Sequence, residues 1–599
     1  MPKIIFKISK KIKLILGVLL FLILIVAVAS WYVAKKIKPI VQQELGVIIN
    51  KATNGLYHIT FDKVSINPLT GNASLTAVHL VPNTKVYQKL VLQKKAPNNL
   101  YHIELRKLSV KKFHPFKIYF NHKLEIDLLL FDKPHITMIN KALIFNENKP
   151  PQPEKSPYDY IKDIFSALHV KTIDFKNASF KYVNNNKAKP DIDTIANINI
   201  TLKDWLIDSL SAKDKSRFYL LKDAYVYLNN YTYATPDSMY YIKASQFEFS
   251  ASAKKLNIKE FVLQPRYSEQ EFVKVAGYAR ERYSLQLNNI DLLGVDFLAY
   301  IRNREVLANE MNIANGSLAV FNDNSYPKSG KDRTGKFPHR LLQKVNIPIS
   351  LKKISLHQLN ISYAELDAKS GQRGRINFNS TSGLITNVTN LAKLKRRNPI
   401  MEAELESYLM GQGKLNVGFK FNTVAPKADF SYKGQLLNMD GRQLNYLTKP
   451  LGMVQIKSCL IRKFGFDIVA NEETAEGKVE FIYNDLSLAL MKKHEGGERL
   501  KRLGLLSLLT NAMVIYKDNP SADGKFVVAP ISYQRRPTAS FFNFIWKTLF
   551  EGVKYSVGFT PQKEAEIKSY ISRFENMKNE REKRRLRREL RRVERLRNR

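Results

Sequence analysis

From residue 56 to residue 493 the chain is written largely in a period of two. YHITFDKVSIN, YHIELRKLSVKKF, KLEIDLLLFDKPHITMINK and ISLKKISLHQLNISYAELD alternate apolar and polar residues, and Pro, Gly or Asn bounds each run. Successive side chains of a strand point to opposite faces, so this alternation predicts strands buried on one side only. Apolar residues make up 44% of the 599, drawn mostly from Ile, Leu, Val, Tyr and Phe, which favour strands over helices. The pattern therefore predicts a mainly β chain, too long and too regular for a small helical domain.

Four stretches interrupt the alternation in a similar way: INPLTGNASLTAV, IDFKNASFKYV, MNIANGSLAVF and LHQLNISYAEL, at residues 66–78, 173–183, 311–321 and 356–366. Each contains Asn-x-Ser. Ile173 and Phe175 hold one parity while Phe180 and Tyr182 hold the other, and Met311 and Ile313 slip against Leu318 and Val320 in the same manner. A one-residue slip in a period-two pattern means a bulge or a tight turn, because otherwise the apolar face would rotate into water. Asn and Gly tolerate such a backbone. Read as glycosylation acceptors, the same letters need a eukaryotic secretory context that nothing else here supplies.

The N-terminus sets the compartment. Leu14 to Ala34 carries no charge, and at 1.5 Å per residue about 20 such residues cross a ~30 Å hydrocarbon core. Trp31 and Tyr32 stand at its end, suited to a membrane interface. Lys3, Lys7, Lys10, Lys11 and Lys13 precede it and outnumber Lys35, Lys36 and Lys38 behind it. The positive-inside rule places residues 1–13 in the cytoplasm and everything after residue 35 across the membrane, as in a single-pass protein. Ala27-Val28-Ala29 offers a cleavage site, but the apolar run continues past it, which favours an uncleaved anchor. Residues 35–55 continue as a juxtamembrane helix.

Beyond the β region, 494–560 reads as a helical segment. Phe541, Phe544, Trp546 and Phe550 crowd one short stretch of it, so that the helix either plugs the end of the β structure or meets a membrane surface. Residues 561–599 form an Arg-rich helical tail, either solvated or bound to an anionic surface. The net charge of +42 implies affinity for anionic surfaces generally. Within the β region, YDYIKDIFSALHV suggests a short amphipathic helix. GKDRTGK nearly spells a phosphate-binding loop, but Phe337 and Pro338 stand where Ser or Thr must hold magnesium, leaving a solvated basic loop.

No sequence motif of catalysis, cofactor binding or metal ligation is visible: the ten histidines are scattered and Cys459 is the single cysteine. A non-enzymatic chain is expected, with no cofactor and no metal. The layout resembles the AsmA-like family of Gram-negative envelope proteins. The resemblance rests on the anchor running into LYHITFDKVSINPLTGNASLTAVHLVPN, on LEIDLLLFDKPHITMINK and IDFKNASFKYV, and on ADFSYKGQLLNMDGRQLNYLTKPLGMVQIKSCLIRKFGFDIVAN followed by GKVEFIYNDLSL. It implies an N-terminal transmembrane helix, a long, curled, antiparallel-rich β-sheet groove with an apolar floor, and conduction of phospholipid in outer-membrane biogenesis. The Arg-rich end departs from the family pattern.

On that reading Phe175, Phe180, Tyr182, Leu318 and Val320 are candidates to line the groove, and the bulges are where strands bend to keep one face inside the curl. Two rival readings share the same residues. A structural or regulatory envelope scaffold would have the sheet interior filled. A membrane-tethered nucleic-acid binder would use the basic charge, but its aromatic residues would have to form a stacking platform, whereas here they alternate like a core, so nucleic acid is not expected as a partner.

Overall fold

The computed structural model describes residues 46–490 and 515–563, with 565 and 569, apart from 48, 52, 68–69, 115–116, 118–119, 147–156, 164, 187–189, 215, 219, 329, 331, 369, 453 and 561. The apolar span with Trp31 and Tyr32, most of 35–55 and nearly all of the Arg-rich tail lie outside the described residues. Among those described, no helix is long and apolar enough to cross a membrane.

The chain is mainly β. Its strands are β1 Tyr57–Thr60, β2 Lys63–Asn67, β3 Asn72–Pro82, β4 Asn99–Phe113, β5 Lys123–Asp132, β6 His135–Asn140, β7 Ala167–Asn184, β8 Asp191–Ile207, β9 Asp223–Leu228, β10 Tyr231–Ala234 and β11 Tyr240–Ser250. They continue with β12 Lys255–Pro265, β13 Arg282–Leu293, β14 Val306–Asp323, β15 Ile349–Leu366, β16 Arg373–Thr389, β17 Ile400–Leu409, β18 Gly413–Asn422, β19 Phe430–Asp440, β20 Val454–Ala470, β21 Thr474–Leu490 and β22 Val528–Gln534. All 22 are assigned to one sheet, mostly antiparallel. By contacts the chain divides into two compact units: Met1–Tyr233, Ile242–Glu260 and Leu293–Leu298 form the first, and Ala234–Tyr241, Phe261–Leu292 and Ala299–Arg599 the second.

In the first unit β1 and β2 both pair with β3, which pairs with β4. Next to β4 lie β5 and β6, both antiparallel to it and both parallel to β7. These two are one strand broken at Lys133-Pro134: Lys133 is left-handed (φ 50°), and Pro134 has no N–H to continue the ladder. Antiparallel pairing then runs through β7, β8, β9 and β11. The expected helix over YDYIKDIFSALHV is reduced to a 3-10 turn at Pro157–Tyr160, because Ala167 to Val170 are taken into β7. Val170 is buried there against the apolar face, which outweighs local helical spacing.

In the second unit β14 and β15 are parallel, and β15 to β22 form an antiparallel meander. A parallel pair needs a crossover to carry the chain back to its starting level. Residues 324–348 supply it, and this corrects the reading of their loop as merely solvated. Phe337 and His339 are buried, and the Arg333 N–H donates to the Pro537 carbonyl at 2.9 Å. A second correction concerns the end of the β region. Strand β22 lies at Val528–Gln534, beyond residue 493, and pairs with the start of β21. Its Pro530, with no N–H to offer, suits the edge of the sheet and masked the strand in the sequence.

Candidate functional site

The bulges organise the faces on which any site must be built. Between β7 and β8 the register shifts on either side of Ala178, and the shift is undone by Phe180. One extra residue on each strand accounts for this: Asn177 on β7 and Asn197 on β8 are both left-handed, at φ 51° and 59°. The apolar residues Phe175, Ala178, Phe180 and Tyr182 thereby stay on one face, where Phe175, Ala178 and Phe180 meet Ile200, Ile198 and Ile195. The device recurs between β15 and β16, with left-handed Gln358 and Ser380 and the same compensated shift around Leu359. Leu318 and Val320 on β14 sit beside Ile361 and Tyr363 on β15, past the bulge.

At three of these four bulged residues the backbone N–H turned out of the ladder is accepted by a polar side chain on the neighbouring strand. Asn177 N donates to Asn199 Oδ1 at 3.0 Å, Gln358 N to Ser382 Oγ at 3.0 Å, and Ser380 N to Asn360 Oδ1 at 3.1 Å. Asn72, at the start of β3, accepts in the same way from left-handed Lys112 at 3.1 Å. The recurring Asn is thus sometimes the bulged residue and sometimes the acceptor. Among the described pairings, a slip centred on the motif's own Asn is seen at Asn177. In the fourth copy the left-handed residue is Gln358, two positions before Asn360, and in the first the Asn opens a strand.

In the first unit the apolar face carries a half-covered floor. Ile126, Val170 and Ile173 are buried, and Phe131, Phe175, Leu202 and Trp205 pack around them while keeping part of their surface exposed. Phe131 and Phe175 stack at 4.5 Å. Phe180 and Tyr182, like Leu318 and Val320 in the second unit, are also half-buried. The structure brings Phe175 into this cluster with Phe131. Trp205 and Phe131 were not singled out from the sequence, although both stand at apolar parity in their strands.

The opposite face of the same strands is ionic, as a period of two requires. Asp127 accepts from Lys171 at 2.7 Å and lies 3.2 Å from His114 Nε2; these bonds hold its carboxyl below the usual range, Lys171 contributing most. Glu125 is held low chiefly by Lys117. His114, Glu125 and Asp127 have one ligand atom each within 4.8 Å of the others, but the two lysines already neutralise the carboxylates, so the cluster reads as an ion-pair row.

In the second unit the apolar face of β17 to β22 is covered. Met401, Phe421, Phe430, Tyr432, Phe466 and Ile468 lie buried beneath the helix Phe541–Ser556, which Ser540 caps through the Asn543 N–H. Phe541 and Phe544 enter this core, with Phe544 1% exposed, and Phe337 joins them edge-on to Phe430 and Phe541 at 5.6 and 5.2 Å. Gly552 lets the helix lie flat, since a Cβ there would sit 2.6 Å from Val479 Cβ. The placement of Phe541 and Phe544 at a membrane interface is therefore corrected: their helical face is the one turned to the sheet. Phe542, Trp546 and Phe550 occupy the other face, 70%, 40% and 38% exposed. Cys459 is buried in a neighbouring cluster, where burial pushes its thiol up to about 12, outside the range of a reactive cysteine.

No protein-family model matches the chain, and no curated protein matches it.

Proposed function

We propose that the chain is a membrane-anchored envelope protein whose first unit holds phospholipid acyl chains on its half-covered apolar face, as the resemblance to AsmA-like proteins implies. The observation that carries this reading is the partial exposure of Phe131, Phe175, Leu202 and Trp205 around a small buried floor. Apolar surface left in this state is unfavourable in water by roughly 25 cal/mol per Å2, and an acyl chain laid along it removes that cost. The ionic reverse face keeps such a sheet soluble outside the bilayer. Anchorage through Leu14 to Ala34 tethers it to the inner membrane, with the bulk of the chain in the periplasm. The exposed Trp546 and Phe550, and the Arg-rich tail, offer a second contact with an anionic lipid surface.

A photoreactive residue at 175, 180, 182, 318 or 320 tests this in cells. Crosslinks to phospholipid at Phe175 and Phe180 are expected. Crosslinks to protein alone would favour the second reading, a scaffold, which the helix-covered core of the second unit supports on its own account.

A further inference from the structure

The second unit contains an open cavity of ≈ 470 Å3 on the line of its bulges, lined by residues of four adjacent strands, β13 to β16. Its lining is unlike the rest of the chain. Gln286 and Asn288 come from β13, Asn315 and Ser317 from β14, Gln358 and Asn360 from β15, and Ser380 from β16. One residue in four of this protein is charged, yet no charged side chain and no aliphatic or aromatic side chain lines the cavity. The floor is backbone: Gly316 lies there, and a Cβ at that position would come 2.4 Å from the Gln286 carbonyl oxygen.

The fold uses only part of this polar capacity. Asn288 Nδ2 donates to Asn315 Oδ1 at 2.7 Å, and Asn360 Oδ1 accepts the bulged Ser380 N–H at 3.1 Å. Asn315 Nδ2, Asn360 Nδ2 and the Ser317 hydroxyl are left to face an occupant. A primary amide and a hydroxyl both bring donor capacity, and a hydroxyl also accepts. Such a wall matches a ligand that is itself neutral and carries closely spaced hydroxyls. An anion or a cation settling there would meet no counter-charge, and an acyl chain would meet no apolar side chain. The volume falls in the range of about 300–1,000 Å3 typical of small-molecule sites.

We propose that this cavity is a binding site for a neutral, hydroxyl-rich ligand: a short glycan segment. The site is separate in chemistry from the acyl-binding face and does not depend on it. Asn360 then serves two ends, since the side chain that accepts the bulged Ser380 N–H also presents its remaining donor to the cavity.

The full chain, kept in a zwitterionic detergent because sugar-headed detergents would compete, is to be mixed with maltotriose or chitotriose and studied by saturation-transfer NMR. Transfer to the ring protons of at least one neutral trisaccharide is expected, with none to an oligogalacturonate of equal length. Ser317→Arg puts a long charged side chain into the cavity from an exposed position, and Gln358→Ala removes one amide. S317R is expected to weaken binding about ten-fold or more, equivalent to ~1.4 kcal/mol, with an unchanged melting midpoint. Absence of transfer to either sugar, equal transfer in S317R, or transfer to a triglycine probe instead would overturn the assignment. Loss of phospholipid crosslinks at Phe175 would leave it standing, so the two proposals fail separately.

Discussion

The two units use the same strand grammar and finish their apolar faces differently. In the first, Phe131, Phe175 and Trp205 remain half-covered around Ile126, Val170 and Ile173. In the second, Phe421, Phe430, Tyr432 and Phe466 are sealed under Phe541 and Phe544 of a helix contributed from far along the chain. The contrast shows that alternation alone does not decide whether a sheet face becomes a core or a surface for another molecule. That depends on whether the chain brings back an element to lie on it, and on whether the element fits as closely as Gly552 fits against Val479.

The largest expected effect lies in the sealed face. Phe544→Ala should destabilise the second unit by about 3–5 kcal/mol, as deletion of a fully buried ring does. Phe175→Ala, at a half-exposed position, should cost only about 1–2 kcal/mol by its smaller loss of buried area. Denaturant melts of the two variants would measure both. Equal costs would break the comparison, because they would mean that the first unit's face is packed as tightly as a core.

A pH titration sharpens it further. His339 is fully buried, with Phe421 and Phe430 ring centroids 5.1 and 6.2 Å away, and burial lowers its pKa from 6.5 to about 4. The unfolded chain therefore binds a proton that the folded one refuses. Stability held by the neutral ring is fully present above pH 6.5 and drains as pH falls through 4, by up to a few kcal/mol. His339→Leu should flatten that acid slope in the second unit, as read by melting midpoint against pH. An unaltered slope would remove His339 from the account.

The smallest effect belongs to the bulges. Asn199→Ala deprives the Asn177 N–H of its acceptor, and Asn360→Ala does the same to Ser380. Each should cost about 1 kcal/mol, the ordinary net worth of one hydrogen bond, and should speed amide exchange at the bulged residue. A cost near zero would mean that water replaces the side chain and that the motif is not needed to hold the bend.

Much of this was legible in the residues. The alternation announced the strands, and the parity change across Asn177 announced a bulge that the register confirms. Phe180 and Tyr182 were placed on the same face as Phe175 by that slip alone. Less legible was β22, whose Pro530 breaks the pattern, and the burial of Phe337 and His339, which sit in a basic loop with no periodicity of their own. The polar cavity was half visible: the Asn-x-Ser repeats could be seen, but their assembly with Gln286 and Asn288 into one wall depends on which strands are neighbours.

What the sequence by itself determined is local: the period of two, the places where it slips, and the segregation of apolar from ionic residues onto opposite faces. These follow from the alternating geometry of an extended backbone and need no long-range contact to be read. What only the tertiary structure decided is which apolar face is covered. Seven large apolar residues crowd into Phe541–Phe550, but the helix turns Phe541 and Phe544 to the sheet and leaves Phe542, Trp546 and Phe550 outside. That choice is made by the fit of Gly552 and Thr548 against a surface built from residues up to more than a hundred positions earlier, and burial energy acts on the assembled surface, whatever the spacing of its parts along the chain.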